Sequence, residues 1–201
     1  MYKDPMPWDR INSFALVSYI PEPLAGFLDR LRQELVPNCF LRAHVTVLPP
    51  RPLAAPDEAW RVIKHLIPQF APFDVHMTDV EVFPISDVIY INLGEGREQL
   101  RQMHDGLAID CLHCSEQFEY HPHVTLAQEL KPDELDELVA VARARWAEFK
   151  FDRCFRVDKT TFVQNTRCND WVDLHECALG QSELGRQLTF DDIEPSRIIR
   201  G

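Results

Sequence analysis

Two short segments of the chain repeat one pattern. Residues 43–47 read Ala-His-Val-Thr-Val, and residues 122–126 read Pro-His-Val-Thr-Leu. Each sets a His and a Thr two positions apart in a run of β-forming residues: His44 with Thr46, and His123 with Thr125. Side chains of a strand alternate between its faces, so each His–Thr pair projects to one side. In the first strand Ala43, Val45 and Val47 share one face, opposite Arg42, His44, Thr46 and Leu48. In the second, Phe118, Tyr120, Pro122, Val124 and Leu126 lie opposite His121, His123, Thr125 and Ala127. A fold that carries both strands must bury one face of each and leave two His–Thr pairs on the other. A single such pair on the wet face of a half-buried sheet means little. Two copies, each preceded by a helix, mark titratable groups that converge on a site.

The pattern around the motifs alternates strands and helices. Residues 13–20 (SFALVSYI) read as a strand. Pro21 and Pro23 open a helix through about Val36, with Leu24, Phe27, Leu28, Leu31 and Leu35 at helical spacing. The first motif strand covers 40–48, and Pro49, Pro50 and Pro52 are expected to stop it. A helix follows at 56–67, then strands at 72–83 and 87–93, and a helix over 95–112 with Leu100, Met103, Leu107 and Cys111 on one stripe. The second motif strand spans 118–127, a further helix 132–147, and strand-like runs 149–164 and 171–178 close the folded region. Helix-then-motif-strand occurs at 24–48 and again at 96–127. A duplicated α+β unit accounts for this, with residues 1–179 as one domain and 180–201 as a polar C-terminal tail.

Composition narrows the partners. At 201 residues the chain is long enough to bury a sizeable core. It carries 32 acidic and 21 basic residues, a net charge of −11, which opposes broad contact with a nucleic-acid backbone and hence a long duplex. A locally positive pocket for one phosphate remains compatible with that balance. No apolar run reaches the ~20 residues that span a bilayer, and the first residues lack a signal-peptide stretch, so neither a membrane partner nor export is expected and the expected location is the cytoplasm. Six cysteines in a chain of this kind read as free thiols. Cys111 and Cys114 form a C-x-x-C, but no second pair completes a zinc site.

The segments AHVTVLPP (43–50) and YHPHVTLAQ (120–128) resemble the 2H phosphoesterase superfamily, which includes bacterial 2′-5′ RNA ligase-like proteins and cyclic phosphodiesterases. The second is close to that family's aromatic-x-Pro-His-hydrophobic-Thr-Leu-Ala pattern, except that Gln128 stands where many bacterial relatives carry a basic residue. The resemblance covers about residues 12–178. It implies an α+β fold of two pseudo-symmetric lobes, each an antiparallel sheet with helices outside and a cleft between. One motif strand from each lobe would line that cleft, with His44, Thr46, His123 and Thr125 at the catalytic positions. It also implies a 2′-phosphate as the product from 2′,3′-cyclic substrates.

The residue chemistry supports such a reaction. Opening a cyclic phosphate needs one proton removed from water and one given to the departing ribose oxygen. A neutral imidazole and an imidazolium supply both near neutral pH. Threonine hydroxyls can donate to the nonbridging oxygens. Neither a metal nor another cofactor is required. The expected partner is a small nucleotide or an RNA terminus carrying a phosphate. Arg42 and His121 each precede a motif His by two residues; Arg42 is a candidate phosphate ligand against a plain surface salt bridge, and His121 a cleft extension against a solvated rim residue. Tyr90 and Phe162, with Phe83 and Tyr120, are candidate base-stacking aromatics.

Three other readings stand beside this one. A metal-dependent phosphohydrolase would use His121-x-His123, or His104-Asp105 as half of an HD site. A nucleotide- or phosphate-binding module would keep the cleft with little turnover. RNA ligation is the reverse of phosphoester cleavage in the same cleft. Sequence does not decide which His is base and which is acid.

Overall fold

The apolar alternation seen in the sequence becomes two four-stranded sheets. The structure, a computed structural model, describes residues 9–37 and 39–181. Its strands are β1 (Arg10–Tyr19), β2 (His44–Arg51), β3 (Phe73–Val82), β4 (Ile89–Leu93), β5 (His123–Ala127), β6 (Cys154–Val157), β7 (Lys159–Thr166) and β8 (Trp171–Ala178). Its helices are α1 (Leu24–Leu35), α2 (Pro56–Leu66), α3 (Arg97–Leu107) and α4 (Leu135–Glu148). One sheet has the order β2-β1-β7-β8 and the other β5-β4-β3-β6, with antiparallel neighbours throughout.

The two orders superimpose as a pseudo-twofold. β2 corresponds to β5, β1 to β4, β7 to β3 and β8 to β6. α1 connects β1 to β2 as α3 connects β4 to β5. This is the two-lobed α+β architecture expected from the sequence. The lobes are interleaved rather than successive: one sheet takes β1 and β2 from the start of the chain and β7 and β8 from its end. The run expected over 149–164 breaks at Asp158, where the chain leaves one sheet as β6 and enters the other as β7.

Each helix that precedes a motif strand packs on the motif strand of the opposite lobe, α1 on β5 and α3 on β2. The stripe Leu24, Leu28, Leu31, Leu35 of α1 is buried, as the i, i+4, i+7 spacing requires. Val45 and Val47 of β2, Ile91 and Leu93 of β4, and Val124 and Leu126 of β5 join the same core. A second, small cluster of Ala15, Val17 and Val163, with Tyr19 and Trp171 against it, covers the other face of the first sheet.

Both motif strands lie at the edges of their sheets, and each begins at its histidine. The expected starts at 40 and 118 are too early, because regular strand begins only at His44 and at His123. The expected stop at Leu48 is too early as well. β2 runs through Pro49 and Pro50 to Arg51. Prolines are tolerated on an edge, and the register jump between Leu16↔Leu48 and Phe14↔Arg51 takes up the extra residue. The tail expected over 180–201 lies outside the described residues from 182 onward. Gly180 itself donates its N–H to the Phe70 carbonyl at 2.8 Å.

Candidate active site

His44, Thr46, His123 and Thr125 line one cleft of about 1260 Å³ between the facing edges of the two sheets. All four side chains are half-buried. The same local geometry sets both imidazoles. His44 Nδ1 lies 2.7 Å from the Arg42 carbonyl, and His123 Nδ1 lies 2.6 Å from the His121 carbonyl. A carbonyl only accepts, so each Nδ1 carries the proton and donates it. Nε2 is then left as the free acceptor when the ring is neutral.

Burial in the cleft disfavours charge on both rings. Burial pushes His44 down to about 4, helped by the guanidinium of Arg32 and by the charges of His123 and Arg42; the hydrogen bond to the Arg42 carbonyl opposes it in part. His123 is also held below the ordinary histidine range, chiefly by burial, with His121 adding to the effect and the His121 carbonyl opposing it. An anion placed between the rings reverses this, because it favours the protonated form.

Cross-strand neighbours make the two halves chemically different. Tyr19 is opposite His44 in register, and Asn92 is opposite His123. The Tyr19 ring stands edge-on to His44 at 6.3 Å, and its hydroxyl donates to Asp173. On the other side Glu81 accepts from Tyr90 at 2.9 Å and from Asn92 at 2.8 Å. Phe83 stacks on Tyr90 at 4.0 Å, and both rings meet His121 and His123 edge-on.

The remaining sequence candidates divide. Arg42 sits on the rim of the cleft, over the Tyr19 ring at 3.6 Å and paired with Asp173 at 2.9 Å. Its charge is therefore already engaged by a carboxylate, in an exposed pair of modest strength. His121 lines the cleft, and its Nε2 is buried with no hydrogen-bond partner. Tyr90 is not available for stacking on a base: it is buried beneath Phe83 and the two histidines. Phe162 is not in the cleft at all. It is 3% exposed and stacked between Phe14 and Trp60, because the alternation of β7 turns Val163 and Asn165 to the cleft instead. Of the stacking candidates, Phe83 and Tyr120, both half-buried, line the cleft.

Tyr120, a stacking candidate in the sequence, instead joins the two motif strands. Tyr120 donates its hydroxyl to the Thr46 carbonyl at 2.6 Å, across the lobes. Its ring stacks on His104 at 4.0 Å. Both nitrogens of His104 are engaged, with Asp105 and Glu116 at 3.0 Å each. Arg51, at the end of β2, donates to Glu116 and to the Leu112 carbonyl, both at 2.6 Å. His104-Asp105 thus belongs to an inter-lobe polar network. Among the described residues no three His, Cys, Asp or Glu side chains are grouped to hold a metal ion. The six cysteines, Cys111 and Cys114 included, are free thiols.

A family profile described as the 2′-5′ RNA ligase superfamily matches residues 20–168. A candidate phosphoesterase of Bacillus licheniformis is 26% identical over 137 residues, covering 66% of this chain and 80% of that protein. Among solved structures, LigT of E. coli in its apo form has a TM-score of 0.61 at 16% identity, covering 85% of this chain and 98% of LigT. TT0787 of Thermus thermophilus gives 0.59 at 16% identity, covering 84% of this chain and 98% of TT0787. LigT has also been solved with phosphate, with 3′-AMP, with ATP and with NADP+.

Proposed function

Because this chain belongs to the 2′-5′ RNA ligase superfamily, we propose that it is a phosphoesterase that opens 2′,3′-cyclic phosphates or cleaves 2′-5′ phosphodiesters without a metal ion. The substrate is an RNA end or a small nucleotide, and a cyclic substrate leaves as the 2′-phosphate. One observation carries the reading: two imidazoles from opposite lobes, each with Nδ1–H tied to the carbonyl two residues before it, share one cleft. One Nε2 takes a proton from the attacking water as the other gives a proton to the departing ribose oxygen. Thr46 and Thr125 donate to the nonbridging oxygens, where negative charge gathers in the transition state. The LigT structures with phosphate and 3′-AMP support a phosphate-bearing nucleotide as the ligand class. The net charge of −11 supports recognition of an end rather than of a long backbone.

The decisive assay is a panel of adenosine 2′,3′-cyclic phosphate, a 2′-5′-linked oligoadenylate and an ADP-ribose cyclic phosphate. Phosphorus NMR identifies the product. The expected result is 2′-AMP from the cyclic nucleotide, at a rate that EDTA does not change. A 3′-phosphate, or turnover abolished by EDTA and restored by a metal, would overturn the scheme.

The pH dependence follows from the two rings. kcat/KM reports the free enzyme, which must hold one ring neutral and the other protonated. That state is most populated between the two histidine pKa values. The acid limb of kcat/KM is therefore expected near pH 4, where His44 protonates, and the alkaline limb below 6.5, where His123 loses its proton. Bound phosphate raises both pKa values, so the kcat profile is displaced to higher pH than the kcat/KM profile. Rates measured over the acidic and neutral range test this; coincident profiles for the two constants would contradict it.

A further inference from the structure

The carbonyl that orients His44 is itself held from behind. Asp29 and Arg32 lie one turn apart on α1, Asp29 at its middle and Arg32 in its last turn. Asp29 Oδ1 accepts the Ala43 N–H at 2.7 Å, and Arg32 Nη1 donates to the Arg42 carbonyl at 3.3 Å. That N–H and that carbonyl are the two ends of one peptide group, the Arg42–Ala43 bond. The same carbonyl accepts from His44 Nδ1. One helix thus grips both ends of the peptide that fixes the imidazole.

The other lobe has no such grip and does not need it. The peptide before His123 is His121–Pro122, which has no N–H to satisfy. Where the second motif has Pro122, the first has Ala43, and Asp29 supplies the missing acceptor.

Arg32 is unusual in its own right. It is only 4% exposed yet lines the cleft, its Nε has no hydrogen-bond partner, and it makes no ion pair among the described residues. A buried cation without a carboxylate partner is costly, and this chain has 32 acidic residues from which one could have been placed. Burial pushes the Asp29 carboxyl up, opposed first by the Ala43 N–H and then by the charge of Arg32.

We infer that Asp29 and Arg32 are positioning residues that hold the Arg42–Ala43 peptide, so that His44 enters the reaction neutral, Nε2 forward, as the proton acceptor of the pair. His123 is then the donor. This rests on the paired-imidazole reading above. In the step it implies, an O–H bond of water breaks and its proton goes to His44 Nε2 as the new P–O bond forms. The P–O3′ bond breaks, and the 3′-oxygen takes the proton from His123 Nε2. One water is consumed, and exchange with solvent resets both rings. The groups facing His44 are Asp29 and Arg32 from α1, Arg42 from the preceding segment, Tyr19 from β1 with Asp173 of β8 behind it, and His123 from β5. No carboxylate among them forms an ion pair with the ring.

The test is histidine-labelled NMR on the full chain, followed by rates. In the unmodified protein His44 is expected as the Nδ1–H tautomer with a midpoint of about 4. Arg32→Met moves that midpoint up toward 6.5, only part of the way because burial remains, and Arg32→Lys restores it. Asp29→Ala mixes the tautomers, and Asp29→Asn, which keeps an acceptor oxygen, does not. His123 is unmoved by any of the four. The role of each ring is read with a nucleoside 4-nitrophenyl phosphodiester, whose leaving group needs no acid. On it His123→Ala returns to within about tenfold of the unmodified protein, while His44→Ala stays down by about 100-fold or more. An unchanged His44 midpoint in Arg32→Met, or rescue of His44→Ala instead of His123→Ala, would overturn the assignment. The NMR arm requires no turnover. If no substrate reacts yet the midpoint shifts as stated, the clamp stands and the proposed function falls; turnover with an unmoved midpoint gives the reverse.

Discussion

Replacing either His44 or His123 by Ala is expected to lower kcat on a 2′,3′-cyclic phosphate by about 100-fold or more, the scale at which a positioned acid or base contributes. The double variant should lose little beyond the worse single one, because the two rings act on one proton-transfer sequence and their losses do not add. The effect belongs to chemistry rather than folding. Both side chains are half-buried and, among the described residues, hydrogen-bond only to carbonyls two residues away, so their removal leaves the sheets intact. Circular dichroism and thermal melting of the variants separate the two causes. A single variant that keeps turnover within a few-fold of the parent would end the paired-imidazole mechanism, whatever the family to which the chain belongs.

Much of this site was legible before any coordinates, and the reason is local. A period of two puts His and Thr on one side of a strand whatever the rest of the chain does, so His44, Thr46, His123 and Thr125 were readable as pairs from sequence alone. Their meeting in one cleft is a tertiary fact, anticipated only because the pattern occurs twice. The strand limits were misread where edge position overrides local signals: Pro49 and Pro50 would end an interior strand, but at a sheet edge they do not. Phe162 was misplaced because its run, Thr160-Thr161-Phe162-Val163, is apolar or neutral on both sides and so does not reveal its phase. The phase is set by β1, where Leu16 pairs with Phe162 on the core side. Asp29, Arg32, Arg51 and Glu116 left no sequence signal at all. Charged residues on helices, in loops and at strand ends are ordinarily solvated, and only the tertiary structure buries Arg32 and Arg51 and half-buries Asp29 and Glu116.

Removing the Glu116 carboxylate is expected to destabilise the fold by about 3 kcal/mol, the lower end of the range for breaking a buried ion pair. Arg51 is 3% exposed, and its guanidinium has three partners: Glu116 and the carbonyls of Leu112 and Pro49. In Glu116→Ala the two carbonyls remain, but the buried charge has lost its counterion and His104 has lost one of its two acceptors. Arg51→Met should be milder. It removes the charge that is hard to bury and leaves a carboxylate that is 22% exposed and still paired with His104. The double variant should therefore be more stable than Glu116→Ala alone, a sign of coupling that no surface pair gives. Arg156→Ala is the control, since its pair with Asp74 is more than half exposed on both sides and should contribute under about 1 kcal/mol. For a domain of this size a loss of about 3 kcal/mol lowers Tm by roughly 6–12 °C. Activity should fall with it. Arg51 ends the strand that carries His44 and Thr46, and Glu116 and Tyr120 lie on the segment leading to His123, so the same contacts set the separation of the two His–Thr pairs. Urea denaturation of the three variants and the control decides the matter. A Glu116→Ala protein as stable as Arg156→Ala would show that this network does not join the lobes.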